Sequence, residues 1–355
     1  MTWQGPGVMD GVDDFIGIDH HKRYSQVLIR DRAGRVRKRG RIPSTRSAFA
    51  EFVGPADGRV RIAVHEAGLG YRPLHRWLSE LVDTVVLAHP GRLKIISDTV
   101  YKDDALDAER LTELLMVGLV PRAYACSDDA WDRRQLLRQR AAVVRMQTAI
   151  KNRVHALLDL HPDAVPARPD ATDLFGRAGR AWLGTLAVPA ADRRRLDQLL
   201  TIYDFLHRQL AETNGVVRQL VRGDLPCQWV KSVPGIGDFL AALIVAEIDD
   251  VRRFPNVKHF LSYTGLVPGR DRSGARDHPQ PIHRQGDKHL RWAFVEAAVP
   301  ATRADASLRA LYDRLKQRRG PLAGPNVAKV AVARKLAAIV YRLLREQRPY
   351  EHHDV

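Results

Sequence analysis

The first third of the chain alternates between short apolar runs and longer stretches with helical spacing of apolar positions. Short apolar runs bounded by turn residues are typical of strands, and apolar positions three and four apart are typical of helices. The order of three strands, helix, strand, helix, strand, helix predicts a mixed sheet with helices on its faces. The predicted strands are residues 15–19, 24–29, 35–42, 60–64 and 84–87, and the predicted helices are one capped by Ser44 or Thr45 that ends at 53, then 70–82 and 104–117.

Residues 128–220 carry almost no strand signal and instead repeat apolar positions every three and four residues. This spacing is typical of the seam of a coiled coil. Three prolines within 161–169 separate two such stretches, which predicts a long antiparallel coiled-coil hairpin. Its seam could face its own partner helix or a second chain. The seam positions are Leu136, Val143, Ile150 and Leu157 in a helix at about 129–160, and Leu196, Leu199, Tyr203, Leu206, Leu210, Thr213, Val217 and Leu220 in the next one.

The last third returns to helical patterns, interrupted by one loop rich in glycine, proline, arginine and histidine. A Pro-Gly-Ile-Gly turn at 234–237 precedes an apolar helix that ends at 248. The three patterns predict an α/β domain at 13–126, the coiled-coil hairpin at 127–224 and an all-α domain at 225–349. In the last domain the loop is predicted at 265–286 and further helices at 257–263, 288–301, 307–318 and 326–345.

The charge of the chain narrows the choice of partners. Its 355 residues include 57 lysines and arginines against 41 acidic residues, a formal net charge of +16. This balance favours a polyanion, because each phosphate contact releases condensed counterions. No apolar run approaches the roughly 20 residues that span a bilayer, and residues 1–10 lack the basic start and apolar core of a secretory signal.

The two cysteines, Cys126 and Cys227, can build neither a disulfide framework nor a four-thiolate zinc site. The sequence therefore predicts a cytoplasmic, nucleoid-associated protein with no membrane partner.

Four carboxylates stand at strand ends and at the start of a helix. Asp19 ends the first predicted strand, Glu66 follows the fourth, and Asp104 and Asp107 lie three residues apart on one helix face. In the element order of the ribonuclease H-like fold, such positions can converge at one sheet edge. Converging carboxylates repel one another without cations. The cluster therefore predicts bound Mg²⁺, with Mn²⁺ as a substitute, for phosphodiester chemistry.

Each of these features taken alone has a simpler interpretation. An aspartate at a strand end is usually solvated, and acids near a helix N-terminus are stabilising whatever the function. Asp103 also competes with Asp104 for the same position. The Pro-Gly-Ile-Gly turn resembles a helix-hairpin-helix turn, in which backbone N–H groups contact a phosphate without reading sequence. A plain tight turn into a buried helix is the alternative there.

These motifs together resemble the insertion sequence 110 family of transposases. The resemblance covers roughly residues 13–345, with several motifs in the same order and spacing. It implies a RuvC-like domain whose DEDD motif is Asp19, Glu66, Asp104 and Asp107, then a coiled coil and a C-terminal transposase domain. The motifs that carry it are Gly17-Ile18-Asp19 with Lys22, Glu66, Lys102 to Ala108, Val233 to Gly237, Arg253-Phe254, Tyr263 to Pro268, Ser273-Gly274 and Gly286 to Arg291.

The resemblance also assigns a nucleophile and two nucleic-acid partners. It implies that Ser273 bonds covalently to a DNA phosphate, and that a structured noncoding guide RNA encoded in the element pairs with donor and target double-stranded DNA. Without it, a serine among arginines and glycines is an ordinary polar loop residue, because a free hydroxyl needs activation to attack. The residues assigned to nucleic-acid binding are Lys102, Gly235, Gly237, Arg270, Arg272, Gly274, Arg276, Lys288 and Arg291.

Two other functions fit parts of the pattern. A metal-dependent hydrolytic nuclease of the junction-resolvase type would use the four acids and water, with Ser273 as a bystander. A nucleic-acid binding scaffold would keep the fold without catalysis. The resemblance favours a DNA transposase that acts as a homo-oligomer, a dimer or a tetramer. Ser273 and the acids could then meet within one chain or between chains.

Overall fold

Helices dominate the part of the chain that the structure describes, and its strands lie within 14–88 and 268–282. The computed structural model describes residues 11–68, 70–96, 104–164, 173–273, 276–282 and 286–352. These residues belong to two compact units, Met1–Ala125 and Cys126–Val355. Within the described residues, no helix is both long enough and apolar enough to cross a membrane.

The first unit contains a five-stranded sheet in the order β3-β2-β1-β4-β5. The first three strands pair antiparallel, and β4 and β5 pair parallel to β1 and to each other. The predicted mixed sheet is confirmed. The strands are β1 (Asp14–His20), β2 (Tyr24–Asp31), β3 (Val36–Pro43), β4 (Arg61–Glu66) and β5 (Thr84–Ala88), and the helices are α1 (Arg46–Val53), α2 (Tyr71–Ser79), α3 (Pro90–Ile96) and α4 (Asp104–Met116).

The central strands β1 and β4 are apolar on both faces of the sheet, to which their successive side chains point in turn. Phe15 of β1 belongs to a buried cluster that includes Leu111 and Leu115 of α4. Its neighbour Ile16 belongs to a second cluster that includes Phe49 of α1. Helices therefore cover both faces, and the strand ends are left at the edges of the layers.

Two long helices, α5 (Asp128–Asp159) and α7 (Ala190–Arg222), begin the second unit and run antiparallel. Arg133 near the start of α5 pairs with Asp224, just beyond the end of α7. At the other end, Leu157 of α5 shares a buried cluster with Leu196 of α7. The short helix α6 (Arg177–Thr185) adds Leu183 to that cluster. Alternate predicted seam positions of α7 are fully buried, and those between them are half-buried.

The rest of the second unit packs around one apolar helix, α9 (Asp238–Ile248), which is buried from Ala241 onwards. A kink at Gly320, whose φ is 76°, divides α12 (Ala306–Glu346) at the place where the sequence predicts a break between two helices. The elements are α8 (Leu225–Lys231), α9 (Asp238–Ile248), α10 (Val257–Thr264), β6 (Pro268–Ser273), β7 (Arg276–Ile282), α11 (Lys288–Ala304) and α12 (Ala306–Glu346).

The predicted loop at 265–286 is wrong over most of its length, because β6 and β7 pair there as an antiparallel hairpin. Its sequence contains Pro279 and Pro281 and is mostly charged or polar, which favours a loop. A proline cannot donate a hydrogen bond to a strand partner, but it is tolerated on the free side of an edge strand. A sheet of two strands has only edge strands, so this composition is compatible with it.

Candidate functional site

Two of the predicted acids lie side by side at one edge of the five-stranded sheet. In the parallel pairing of β1 with β4, Ile18 is opposite His65, so Asp19 and Glu66 are the next residues on the two strands. Neighbouring strands lie about 4.8 Å apart, and opposed residues project to the same face. The Asp19 side chain is 19% exposed. The carboxyl ends of β1 and β4 therefore present two carboxylates on one face.

Gly17 identifies the face of the sheet from which Asp19 and Glu66 project. It lies two residues before Asp19 on β1, so its Cβ position is on the same face as the Asp19 side chain. A Cβ atom at Gly17 would meet the Thr112 side-chain oxygen at 2.0 Å and the Ala108 carbonyl oxygen at 2.3 Å. Both residues belong to α4, so this helix packs directly on the backbone of β1. Asp19 and Glu66 therefore project from the face that α4 covers.

The direction of α4 brings its first turn towards the same edge. Met116 at its C-terminal end lies 3.9 Å from the position of a Cβ atom on Gly34, in the turn between β2 and β3. That turn follows Asp31, which pairs with Asp14 at the opposite end of β1 from Asp19. The N-terminal turn of α4 is thus directed towards the end of β1 that carries Asp19.

Asp104 is the first residue of α4, and Asp107 lies in the first turn. The Asp107 carboxylate is 45% exposed, and its Oδ1 atom lies 3.5 Å from Nη1 of Arg110. Within the described side chains, which do not include that of Asp104, no group of three potential ligands could hold a metal ion. The donor set nevertheless consists of carboxylate oxygens, which are the ligands that Mg²⁺ prefers.

His21 is a contact of this site that the sequence does not assign. Its Nε2 atom lies 2.9 Å from Oδ2 of Asp19. Lys22 and Arg23, which follow it in the turn between β1 and β2, are exposed. The sequence cue to this contact is the tight turn between β1 and β2. This turn places His21, two residues after Asp19, beside the Asp19 carboxylate. His20 makes a separate contact, with Nδ1 2.8 Å from the Ser25 hydroxyl.

A pair of histidines supports β4 on the opposite face. His65 is fully buried, and its Nε2 atom lies 3.1 Å from Nδ1 of His75 in α2. Burial lowers the pKa of His65 to about 3, and the nearby His75 acts in the same direction. Burial also lowers the pKa of His75. Both rings are therefore neutral at pH 7.

The predicted nucleophile lies in the second unit, at the tip of the hairpin. Ser273 is the last residue of β6 and pairs with Arg276, the first residue of β7. Arg272 pairs with Asp277. Gly274 and Lys102 lie outside the described residues. The backbone positions of Arg270, Arg272, Ser273 and Arg276 are described, and their side chains are not.

The base of the hairpin is fixed by backbone packing. A Cβ atom on Gly286 would meet the backbone N atom of Gly265 at 2.3 Å. The backbone N–H of Asp287 donates to the carbonyl oxygen of Tyr263 at 2.7 Å. The Asp287 carboxylate then caps α11 by accepting from the backbone of Leu290. The hairpin therefore extends from a rigid joint between α10 and α11.

The glycine turn between α8 and α9 also packs on α11. Gly235 has a φ of +85°, and a Cβ atom there would meet the Ala297 carbonyl oxygen at 2.4 Å. Gly237 begins α9, and a Cβ atom there would meet nothing within 4 Å. Only the second glycine is thus open to a ligand, because the first is occupied by tertiary packing.

Lys288 and Arg291, the two basic residues predicted on α11, differ in environment. Lys288 is exposed at the start of the helix. Arg291 is half-buried, and its Nη1 atom is buried without a hydrogen-bond partner among the described atoms. Lys288 is therefore accessible to a phosphate.

Comparison with known proteins identifies relatives over most of the chain. One family model, a DEDD type described as Transposase, matches residues 16–162, and another, described as Transposase IS116/IS110/IS902 family, matches residues 227–313. The chain is 28% identical over 286 residues to the Probable family 20 transposase of Pseudomonas aeruginosa, a match over 78% of this chain and 82% of that protein.

Two further relatives are similar. The chain is 26% identical over 340 residues to the Transposase for insertion sequence element IS1328 of Yersinia enterocolitica. This match covers 92% of the chain and 95% of that protein. A shorter match, 31% identical over 124 residues, relates 34% of the chain to 37% of the Pilin gene-inverting protein of Moraxella bovis.

Together with these matches, the mixed sheet and the acids at its neighbouring strand ends identify the chain as a transposase of the DEDD class. The chain belongs to the IS110 family of transposases, so the family resemblance of its motifs is confirmed. Transposases cut and rejoin DNA, and DNA is therefore the substrate of this enzyme.

Proposed function

We propose that this transposase cuts and rejoins DNA with two separate sets of residues, the four acids of the first unit and Ser273 of the second. The observation that carries the proposal is the placement of Asp19 and Glu66 on neighbouring strand ends, on the face towards which the first turn of α4 is directed. A sheet edge of this kind concentrates negative charge that only cations can offset.

Asp19, Glu66, Asp104 and Asp107 would hold Mg²⁺, for which Mn²⁺ could substitute. When bound, the metal would stabilise charge on the oxygens of the reacting phosphate. The contact of His21 with Asp19 restricts the orientation of this carboxylate, and the neutral His65 and His75 hold β4 in place behind Glu66. These residues orient the acids before DNA arrives.

Ser273 is the proposed nucleophile. Its hydroxyl would lose a proton, its Oγ atom would form a bond to the scissile phosphorus, and the bond from phosphorus to the 3′ oxygen would break, leaving a 3′-OH. A 3′-OH from the exchanged strand would then attack the same phosphorus and release the serine. One phosphodiester is exchanged for another, so no ATP is needed. Arg270, Arg272 and Arg276 would hold the phosphate, and Gly274 would allow a close backbone approach.

Sequence selection is proposed to come from a structured guide RNA that pairs with donor and target DNA. Base pairing can supply specificity while the protein contacts backbones, as in other guided systems. The glycine turn would contact a phosphate through Gly237, as a helix-hairpin-helix turn does, and the basic Lys102 and Lys288 would contact others. Gly235 and Arg291, also predicted from the sequence, are assigned no contact, because Gly235 packs against α11 and Arg291 is half-buried. One discrete RNA that copurifies with the protein is the expected result, and RNase treatment should then abolish strand exchange.

We propose a dimer or a tetramer as the active state. The expected result is that the protein sediments as such a species when it is bound to DNA. Mixing an Asp107→Asn protein with a Ser273→Ala protein then tests the arrangement. Restored strand exchange would mean that one copy supplies the acids and another the serine.

The decisive experiment traps the covalent intermediate. End-labelled DNA that spans the junctions of the element is incubated with the protein, its copurified RNA and Mg²⁺, and the products are separated under denaturing conditions. We expect a labelled protein–DNA adduct that disappears in Ser273→Ala. Ser262→Ala, at an exposed serine in α10, should leave the adduct unchanged.

The acids are tested in the same assay. Asp19→Asn and Asp107→Asn should abolish both cleavage and adduct formation, while DNA binding in Ca²⁺ is retained. Cleavage without any adduct would instead indicate a hydrolytic nuclease. DNA binding with neither cleavage nor adduct under all conditions would indicate a scaffold.

A further inference from the structure

An aromatic patch lies on the surface of the second unit and contains none of the residues assigned to catalysis. It consists of Arg140 of α5, Phe239 of α9 and Trp292 of α11. The rings of Phe239 and Trp292 meet edge to face, with centroids 6.1 Å apart. The guanidinium carbon of Arg140 lies 4.0 Å from the centroid of the Phe239 ring. Trp292, one of six tryptophans, is 40% exposed.

The patch is held in one geometry by its neighbours. Nε of Arg140 donates to Oδ1 of Asn214 in α7, at 3.1 Å, which fixes the guanidinium plane. Half-burial of Arg140 lowers the pKa of its guanidinium, although the group stays charged. Phe239 lies in the first turn of α9 and is partly buried against the main core. The Trp292 ring therefore rests on a rigid support and exposes part of its surface to solvent.

Two cations, Arg140 and Lys288, lie on or beside this aromatic surface. Lys288 is one turn before Trp292 on α11 and is exposed, and residues four apart on a helix are neighbours. Burial lowers the pKa of His289, one turn before Trp292, and Arg138, Lys288 and Arg145 act in the same direction while Asp287 opposes them. Glu296, one turn after Trp292, is an acid on the same line of the helix. The cations of this region favour a ligand that combines flat rings with negative charge.

We propose that the aromatic patch binds an unpaired nucleobase of a single-stranded nucleic acid, with Lys288 contacting a flanking phosphate. Exposed aromatic rings next to arginine are the usual platform for unpaired bases, because every base has a π face that can stack. A duplex would not fit equally well, since its bases already stack on one another. The site is independent of the acids and of Ser273, and the unpaired strand could be RNA or displaced DNA.

Trp292 supplies its own probe. The full-length protein, freed of copurified nucleic acid and kept in EDTA, is titrated with a single-stranded oligo(dT), an oligo(U) and a DNA duplex of equal length, and tryptophan fluorescence is recorded. We expect quenching with both single strands, and Trp292→Phe should remove most of the quenching while keeping most of the affinity. Trp292→Leu, which removes the ring, should weaken single-strand binding roughly 5- to 100-fold.

Controls separate stacking from charge and from unfolding. Phe205→Leu removes another exposed aromatic ring, on α7, and should change the affinity less than twofold. Arg140→Lys keeps the charge but loses the planar group, so it should weaken single-strand binding more than duplex binding. Circular dichroism should show that each variant is folded as the parent protein is.

The outcomes are distinct. Tighter binding of oligo(U) or of oligo(dT) identifies the source of the unpaired base and supports the proposal in either case. Quenching that persists in Trp292→Phe would overturn it, as would equal losses of duplex and single-strand affinity in Trp292→Leu. Neither readout needs metal or cleavage, so a failure of the proposed catalytic function would leave this result unaffected.

Discussion

At the scale of single residues, His65 couples the folding of the first unit to pH. Its folded pKa of about 3 lies below the ordinary value of 6.5, so between these values only the unfolded chain binds the proton. Stability is therefore complete above pH 6.5 and falls as the pH drops towards 3, by about 1.4 kcal/mol per pH unit for one such group. Urea unfolding at pH 7.5, 6.5 and 5.5, without divalent metal, measures this slope.

The matched variants for this prediction are His65→Gln and His259→Gln. The first removes the buried ring and should reduce the slope below pH 6.5 by about one proton. The second removes an exposed ring in α10 and is the control for the substitution itself. An unchanged slope in His65→Gln would show that other groups carry the acid sensitivity.

The sequence locates the acids better than it locates the buried polar contacts. Asp19 and Glu66 could be predicted because an apolar strand that ends in a carboxylate is a local pattern. The contact of Glu247 could not be predicted from the sequence. Its two carboxylate oxygens accept hydrogen bonds from Nε and Nη2 of Arg138, at 2.8 Å each, and the two residues are 109 positions apart in the chain. Such a buried ion pair depends on packing between α5 and α9, which apolar periodicity does not reveal.

At the scale of elements, the contact between α4 and β1 determines where the first turn of α4 stands. Gly17→Ala would place a Cβ atom within 2.3 Å of two oxygen atoms of α4. Either the helix moves away from the strand or the strand shifts, and overpacking of this kind costs typically 1–3 kcal/mol, sometimes more. We expect a lower urea midpoint and at least a tenfold loss of Mg²⁺-dependent DNA cleavage, with duplex binding largely kept.

Gly184→Ala is the control for this prediction. A Cβ atom at Gly184, in α6, would meet nothing within 4 Å, and alanine favours a helix by up to about 1 kcal/mol over glycine. Its stability should be equal or higher and its activity unchanged. Full activity in Gly17→Ala would mean that the position of α4 does not matter for the acids.

Helices and apolar strands follow from periodicity, but the β6–β7 hairpin does not. The predicted strands and helices of the first unit match the observed ones within a few residues, apart from α3, because all of them except the mostly exposed β3 bury apolar side chains. The hairpin from Pro268 to Ile282 is mostly polar, so its pairing comes from the fixed joint between Tyr263 and Asp287 at its base. The glycines at that joint, Gly265 and Gly286, are the one local cue to it.

At the scale of the whole molecule, the net charge of +16 governs how binding responds to salt. Each phosphate that the protein neutralises contributes about −0.9 to the slope of log K against log salt concentration on duplex DNA. If Lys288 contacts a phosphate, Lys288→Ala should make this slope shallower by about one and weaken binding to all sequences alike. Equilibrium binding of a duplex from 50 to 200 mM salt gives the slope.

The comparison that isolates this effect is Arg309→Ala. Arg309 is also exposed in the second unit, but its guanidinium is paired with Asp313, with Nε 2.9 Å from Oδ2. Removing a paired cation leaves an aspartate, so both variants lower the net charge by one while only Lys288→Ala deletes a cation available to DNA. Equal changes of slope in the two variants would mean that overall charge, and not a contact at the start of α11, sets the salt dependence.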